Sequence, residues 1–188
     1  MFAQRLCQVI LKTFGWKVEA LVPNLDKCIL LVAPHTSNWD FIMGKLCYTA
    51  LGRNSNFVIK NEWMKGPAGL LLKKLGGIGV DRSKAQRFTD AIAEQYRVRK
   101  QFNLAITPEG TRKANPKWKK GFYHIAQKAG VPIVLVKIDY KLKIVSLFHT
   151  FIPTGDEQAD IWTIQQMYRG VTGKNPKQFV LPDKPLVR

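Results

Sequence analysis

"CILLVAPHTSNWDF", residues 28–41, joins an unbroken apolar run to a short polar loop and then to the start of an apolar-rich stretch. An apolar run without alternation marks a strand covered on both faces, the habit of parallel sheets. Residues 39–51 read as a helix that ends near Gly52. Strand, tight loop and helix in succession form the first half of a βα unit. The loop carries His35, and Asp40 follows five positions later. If the helix starts near Ser37, Ser37 is its N-cap and Asp40 sits in the first turn, where the helix dipole favours a carboxylate. The same turn curls Asp40 back toward His35. A carboxylate against one imidazole nitrogen fixes the ring and stabilises its protonated form, leaving the other nitrogen free to take a proton from a hydroxyl. On this stretch alone both readings stay open.

Outward from it, the chain alternates strands and helices. Strands are expected at "NFVIK" (56–60), "IGVD" (78–81), "NLAIT" (103–107) and "VPIVLVKI" (131–138). "KLKIVSLF" (141–148) follows the last closely enough to be its antiparallel hairpin partner. Helices are expected at 83–100, with Ser83 and Gln86 as a capping box, at 119–130 with Gly130 just past its end, and at 156–170. His124 and His149, in an ordinary helix and near a strand end, read as structural. The tail holds Pro176, Pro182 and Pro185 and reads as irregular. The pattern predicts one α/β domain over residues 1–188, a layered and mostly parallel sheet with an antiparallel hairpin, flanked by helices.

Apolar residues make up 46% of the 188 and charged ones 23%, a composition that supports a packed core. The formal net charge of +17 draws the protein toward anionic partners. Nucleic acid, an anionic bilayer and a phosphorylated small molecule all qualify. Cys7, Cys28 and Cys47 form no C-x-x-C pair and read as reduced cysteines of a cytoplasmic protein. No apolar run approaches the roughly 20 residues needed to span a bilayer. Residues 1–16 read as a short amphipathic helix with Phe2, Leu6, Val9, Ile10 and Phe14 at helical spacing. Such a helix either packs on the core or lies in a membrane interface. Residues 63–77 mix Trp63, Met64 and four leucines with Lys65, Lys73 and Lys74, and leave the same two choices.

No protein nucleophile accompanies His35. There is no G-x-S-x-G elbow and no cysteine beside a histidine. A base without a nucleophile points to a nucleophile on the substrate. "TPEGTR" (107–112) follows a strand; Gly110 lets backbone approach a ligand, and Arg112 can fork onto a phosphate or carboxylate. Glu109 could orient Arg112 or accept from a substrate hydroxyl. Arg82, between a short strand and a helix start, suits an anion.

In combination, "HTSNWD" (35–40), "GGIGVDR" (76–82), "TPEGTR" (107–112) and "VPIVLV" (131–136) resemble the four blocks of the glycerolipid acyltransferases, the 1-acylglycerol-3-phosphate and lysophospholipid acyltransferases. The resemblance covers about residues 29–155, and Lys60 looks like the lysine that often precedes the second block. It implies a glycerol-3-phosphate acyltransferase-like fold, with His35 as general base and Asp40 as its orienting partner. It also implies that Lys60, Arg82 and Arg112 hold an acceptor phosphate, while Glu109, Gly110 and Thr111 shape its pocket. The donor would be acyl-CoA or an acyl-carrier protein, with no cofactor and no metal. The acceptor would be a membrane lipid met at the cytoplasmic face by a peripheral protein. Pro34 stands where the family commonly has Asn. Glycine and valine precede the second-block pair Asp81-Arg82, and Leu135 replaces a common proline. These departures lie near the acceptor pocket, so an aminolipid or glycolipid acceptor stays open. A nucleic-acid-binding module would want its basic residues gathered with stacking aromatics; here they are spread along the chain. A thioesterase would leave the arginine blocks without a purpose.

Overall fold

The computed structural model describes residues 2–80 and 85–185, without the side chains of Lys60, Val80 and residues 85–87. The N-terminal helix α1 (Phe2–Thr13) leads into an edge strand β1 (Lys17–Ala20). Then come β2 (Lys27–Ala33), α2 (Trp39–Ala50), β3 (Asn56–Lys60), α3 (Gly66–Lys74) and β4 (Gly77–Val80). The second half runs α4 (Ala85–Val98), β5 (Phe102–Ile106), α5 (Gly121–Ala129), β6 (Ile133–Asp139), β7 (Ile144–Phe151) and α6 (Glu157–Met167). One sheet of seven strands has the order β1-β7-β6-β2-β5-β3-β4. All its pairings are parallel except the β6–β7 hairpin. The expected α/β layered architecture is what forms.

β2 lies at the centre, and Ile29, Leu30 and Leu31 are each at most 2% exposed. Successive residues of a strand face opposite sides, so an unbroken apolar run feeds two cores. Ile29, Leu31 and Ala33 join Ile92 and Tyr96 of α4, Phe122 and Ile125 of α5, and Ile164 of α6. Cys28 and Leu30 join Met43, Cys47 and Tyr48 of α2 and Leu11 of α1. Because β2, β3 and β5 run in one direction, the loops that follow them open along one edge of the sheet. That edge is where ligands bind in open parallel sheets.

Three sequence expectations need adjustment, and one strand goes beyond them. β1 was not foreseen: the alternation of Lys17, Val18, Glu19 and Ala20 is too short to stand alone, and the strand forms by pairing with the open edge of β7 in parallel register. β7 begins at Ile144 rather than 141, since the turn is longer: Asp139 Oδ1 accepts from the amides of Lys141 and Leu142, and Lys143 takes a positive φ of 52°. Helix α2 starts at Trp39, as read, but its N-cap is Asn38 rather than Ser37. The helix after Ser83 ends at Val98; Ser83 itself, with its proposed cap, lies outside the described residues.

The N-terminal stripe turns out to be the outward face of α1. Gln4 and Gln8 donate their side-chain amides to the carbonyl of Ala50 (3.4 and 2.9 Å), occupying an acceptor that the end of α2 leaves open. Leu11, on the same face, is buried. Phe2, Leu6, Val9 and Phe14 therefore point away, 83%, 48%, 62% and 66% exposed. No helix among the described residues is long and apolar enough to cross a membrane.

Tyr168, just past α6, reaches under the sheet to lock its two central strands. Its fully buried hydroxyl donates to the carbonyl of Leu31 (2.6 Å) and accepts from the amide of Val136 (3.2 Å). Tyr168→Phe strips two backbone groups of this partner. The expected loss is about 1–3 kcal/mol of stability, read as a lower midpoint in urea unfolding. An unchanged midpoint would mean that the bridge carries no net stability.

Candidate active site

The loop between β2 and α2 turns back on itself around Asp40. Asp40 Oδ2 accepts from the amides of Thr36 (2.7 Å) and Ser37 (2.8 Å), while Ser37 Oγ accepts from the amide of Trp39 (3.2 Å). These contacts fold the loop onto the first turn of α2, whose N-cap, Asn38, makes no side-chain cap bond of its own. The same Oδ2 lies 3.4 Å from His35 Nδ1. That is ion-pair distance, but the approach is not aligned for a full hydrogen bond, and Nδ1 has no other bonded partner. Such contacts commonly tighten when substrate arrives. Asp40 thus holds the amides of the loop before α2 and faces the histidine at once, so its structural and chemical uses do not exclude each other.

A third partner was not foreseen. The hydroxyl of Tyr140, beyond the end of β6, donates to Asp40 Oδ1 at 2.8 Å. Burial on its own would raise the Asp40 pKa. The His35 contact, the Tyr140 hydroxyl and the amides of Ser37 and Thr36 together outweigh burial and hold it below the ordinary value. Asp40 is therefore an anion facing the imidazole, which suits it to stabilise positive charge on His35. A histidine so held can accept a proton at its other nitrogen.

His35 and Asp40 stand in the wall of a cavity of about 870 Å³, within the size range of small-molecule sites. Its apolar walls come from both core clusters, including Leu30, Val32 and Val136 above the sheet and Phe88, Phe122 and Ile125 below. Gly110, Thr111 and Arg112 line it too. Gly110 has a φ of +65°, and a Cβ there would meet Lys119 Cγ at 2.9 Å, so glycine is needed for the turn itself. The guanidinium of Arg112 donates to Asn38 Oδ1 and is otherwise exposed. Lys119 and Lys45 also line the cavity, and no motif had singled them out. Lys45 Nζ donates to the carbonyl and hydroxyl of Ser55 (3.0 and 3.3 Å), and burial lowers its pKa.

Lys60 ends β3 in register with Val80 of β4, which puts its backbone on the same edge of the sheet. Its side chain, and the whole of Arg82, lie outside the described residues. His124 is at the surface, 3.1 Å from Glu157, and His149 is exposed on β7.

Glu109 is turned differently from either expectation. It neither orients Arg112 nor lines the cavity. It is 3% exposed, and its Oε1 accepts from the backbone amide of His35 at 2.9 Å. The physical reason is topological: β5 pairs directly with β2, so the loops that follow them touch at their bases. Oε2 is buried without a hydrogen-bond partner.

The family described as Acyltransferase matches residues 17–139, and this chain belongs to it. The chain is similar to the 1-acyl-sn-glycerol-3-phosphate acyltransferase of Haemophilus influenzae, 30% identical over 131 residues. That alignment covers 65% of this chain and 54% of the relative, so the chain matches about half the relative's length. Its fold is similar to that of the 1-acyl-sn-glycerophosphate (LPA) acyltransferase PlsC from Thermotoga maritima. The TM-score is 0.60 at 16% identity, covering 90% of this chain and 77% of that one.

The Glu109 carboxyl yields a test of the site's electrostatics. Burial pushes its pKa from 4.5 up to about 7, against the opposing pull of the His35 amide, its own amide and the His35 charge. Between those values the folded state holds a proton that the unfolded state has lost. Stability from this group is thus present at low pH and falls as pH rises through about 7. Glu109→Gln keeps an acceptor for the His35 amide and removes the titration. At pH 8 the variant should gain about 1–3 kcal/mol over wild type relative to the difference at pH 5. Urea unfolding at the two pH values measures it; a difference that does not change with pH contradicts the assignment.

Proposed function

We propose that this chain moves a fatty acyl group from an acyl thioester, acyl-CoA or acyl-carrier protein, to the free hydroxyl of a lysophospholipid such as 1-acylglycerol-3-phosphate. The observation that carries this reading is the His35–Asp40 pair in the wall of a cavity that is apolar inside and cationic at Arg112 and Lys119. An apolar interior suits an acyl chain, and the cations suit a phosphate. The name of the Haemophilus influenzae relative supports this acceptor class.

In the proposed mechanism His35 removes the proton of the acceptor hydroxyl, and the oxygen attacks the thioester carbonyl. Asp40 stabilises the imidazolium formed. As the tetrahedral intermediate collapses, the carbon–sulfur bond breaks and the leaving sulfur takes the proton from His35. No acyl-enzyme forms. Arg112, with Arg82 and Lys60, holds the acceptor phosphate, and Gly110 and Thr111 shape its pocket. Glu109 is assigned a supporting place behind His35, where its hydrogen bond to the backbone amide holds the loop.

The protein works at a membrane surface on the cytoplasmic face. The exposed stripe of α1, Phe2, Leu6 and Val9, is flanked by Arg5 and Lys12. In and beside α3, Trp63, Leu70 and Leu71 are exposed among Lys65, Lys73 and Lys74. Apolar side chains of this kind enter the interface, while basic ones each add roughly 1 kcal/mol of attraction to an anionic surface.

Mass spectrometry of products from purified protein, given acyl-CoA and a panel of lysophospholipid, aminolipid and glycolipid acceptors, tests the activity. An acylated lysophospholipid is expected, with a loss of about 10²–10⁴-fold in rate for folded His35→Ala. Acylation of only the other acceptors would move the assignment to them, and full activity in His35→Ala would defeat the mechanism. Co-sedimentation with liposomes tests the membrane face. Leu71→Glu combined with Val9→Glu should weaken binding to anionic vesicles; binding indifferent to both changes and to lipid charge would mean that these faces do not dock.

A further inference from the structure

We propose that the segment 173–178, beyond the region matched by the family, is a strap that positions the His35–Asp40 pair by gripping Thr36. This rests on the proposed reaction for its kinetic meaning. The grip itself is a matter of geometry.

Asn175 holds Thr36 twice. Its backbone amide donates to Thr36 Oγ1 at 3.1 Å, and its side-chain amide donates to the Thr36 carbonyl at 2.8 Å. Gln178, with its amide nitrogen turned inward, reaches the same carbonyl at 2.9 Å and the carbonyl of Arg112 at 2.7 Å. The strap thereby ties the loop after β2 to the loop after β5. Gly173 packs so closely that a Cβ would meet Thr36 Oγ1 at 2.8 Å and Pro34 Cβ at 3.2 Å. Thr36 is only 2% exposed. Its amide is one of the donors to Asp40 Oδ2, which faces His35. Contact thus runs from strap to Thr36, to Asp40, to the imidazole.

The strap is also placed by anchors that do not involve Thr36. Phe179 and Leu181 pack against the lower core, and Arg169 donates to the carbonyl of Pro182 at 3.0 Å. On the other side, the Thr172 carbonyl accepts from the amide of Tyr140 (2.9 Å), the residue whose hydroxyl holds the second oxygen of Asp40. One segment therefore locates both sets of donors to Asp40. A reacting constellation must be held to about 0.5 Å, and a misplacement of about 1 Å can cost about 100-fold in rate. Asn175, Gly173 and Gln178 are positioning residues in this sense, since their described contacts are to Thr36, Pro34 and Arg112.

The test uses the full chain with Asn175→Ala, Thr36→Val, the double variant and Thr36→Ser. Asn175 has an extended backbone (φ −112°, ψ 91°) that alanine adopts without strain. With acyl-CoA and 1-acylglycerol-3-phosphate, Asn175→Ala should lower kcat by about tenfold or more, with acceptor KM within about threefold of wild type. Thr36→Val, which removes the acceptor of the Asn175 backbone amide, should fall likewise, Thr36→Ser should recover most of the rate, and the double variant, which breaks both halves of the grip, should fall at least as far as the worse single. Amide exchange at Thr36 and Ser37 should quicken in Asn175→Ala while the amides of β2 stay protected. Wild-type kcat in Asn175→Ala, or a change confined to KM, would overturn the strap. If the wild type transfers no acyl group, the proposed function fails and exchange alone decides: faster exchange at Thr36 and Ser37 sustains the strap, and unchanged exchange overturns it. If Asn175→Ala does not fold, Asn175→Ser serves in the same comparison.

Discussion

Asp40 is 2% exposed, yet it sits in the site as an anion. A carboxylate taken out of water costs several kcal/mol unless its oxygens are met by donors. Here the donors are the amides of Thr36 and Ser37 in the preceding loop and the hydroxyl of Tyr140 beyond β6, with the imidazole of His35 at 3.4 Å. Charge-assisted hydrogen bonds of this kind are about twice as strong as neutral ones. They offset burial and fix the loop in the same stroke. The fold around the site follows from this demand. Tyr140 must be at the mouth of the hairpin, the loop must double back, and something must hold that loop from outside.

The parallel sheet meets the demand by geometry. β2 and β5 are neighbours, so the loops bearing His35 and Gly110–Arg112 emerge side by side. Glu109 stitches them at their base through the His35 amide, and Gln178 stitches them from above. Apolar residues from both faces of the sheet line the cavity beside them. Membership of the Acyltransferase family and the fold shared with PlsC accord with this arrangement of the sheet.

The strands with continuous apolar sequence were legible, because a run such as residues 28–33 has few other uses in a globular chain. The edge strand β1 was not, because only its pairing with β7 makes it a strand. The periodicity of α1 was legible, but its direction was not. A stripe of apolar residues shows that a helix is two-faced, and the pair of glutamines that docks on Ala50 shows which face is inside. At the site, His35, Asp40, Gly110 and Arg112 follow from local motifs. Tyr140 and Asn175 contact the loop from 100 and 139 positions away, so no spacing rule reaches them. Glu109 was legible as a residue of interest but not in its orientation, which depends on which strand its own strand pairs with.

The proposed reaction is a direct transfer, with His35 drawing the proton from the acceptor and no acyl group resting on the protein. Rapid mixing of purified protein with an acyl thioester, with and without lysophospholipid, followed by intact-protein mass spectrometry, addresses it. Direct transfer predicts that no acylated protein appears at any time and that thioester is consumed only when the acceptor is present. A protein mass increased by one acyl group, rising before product and falling as product forms, would contradict it.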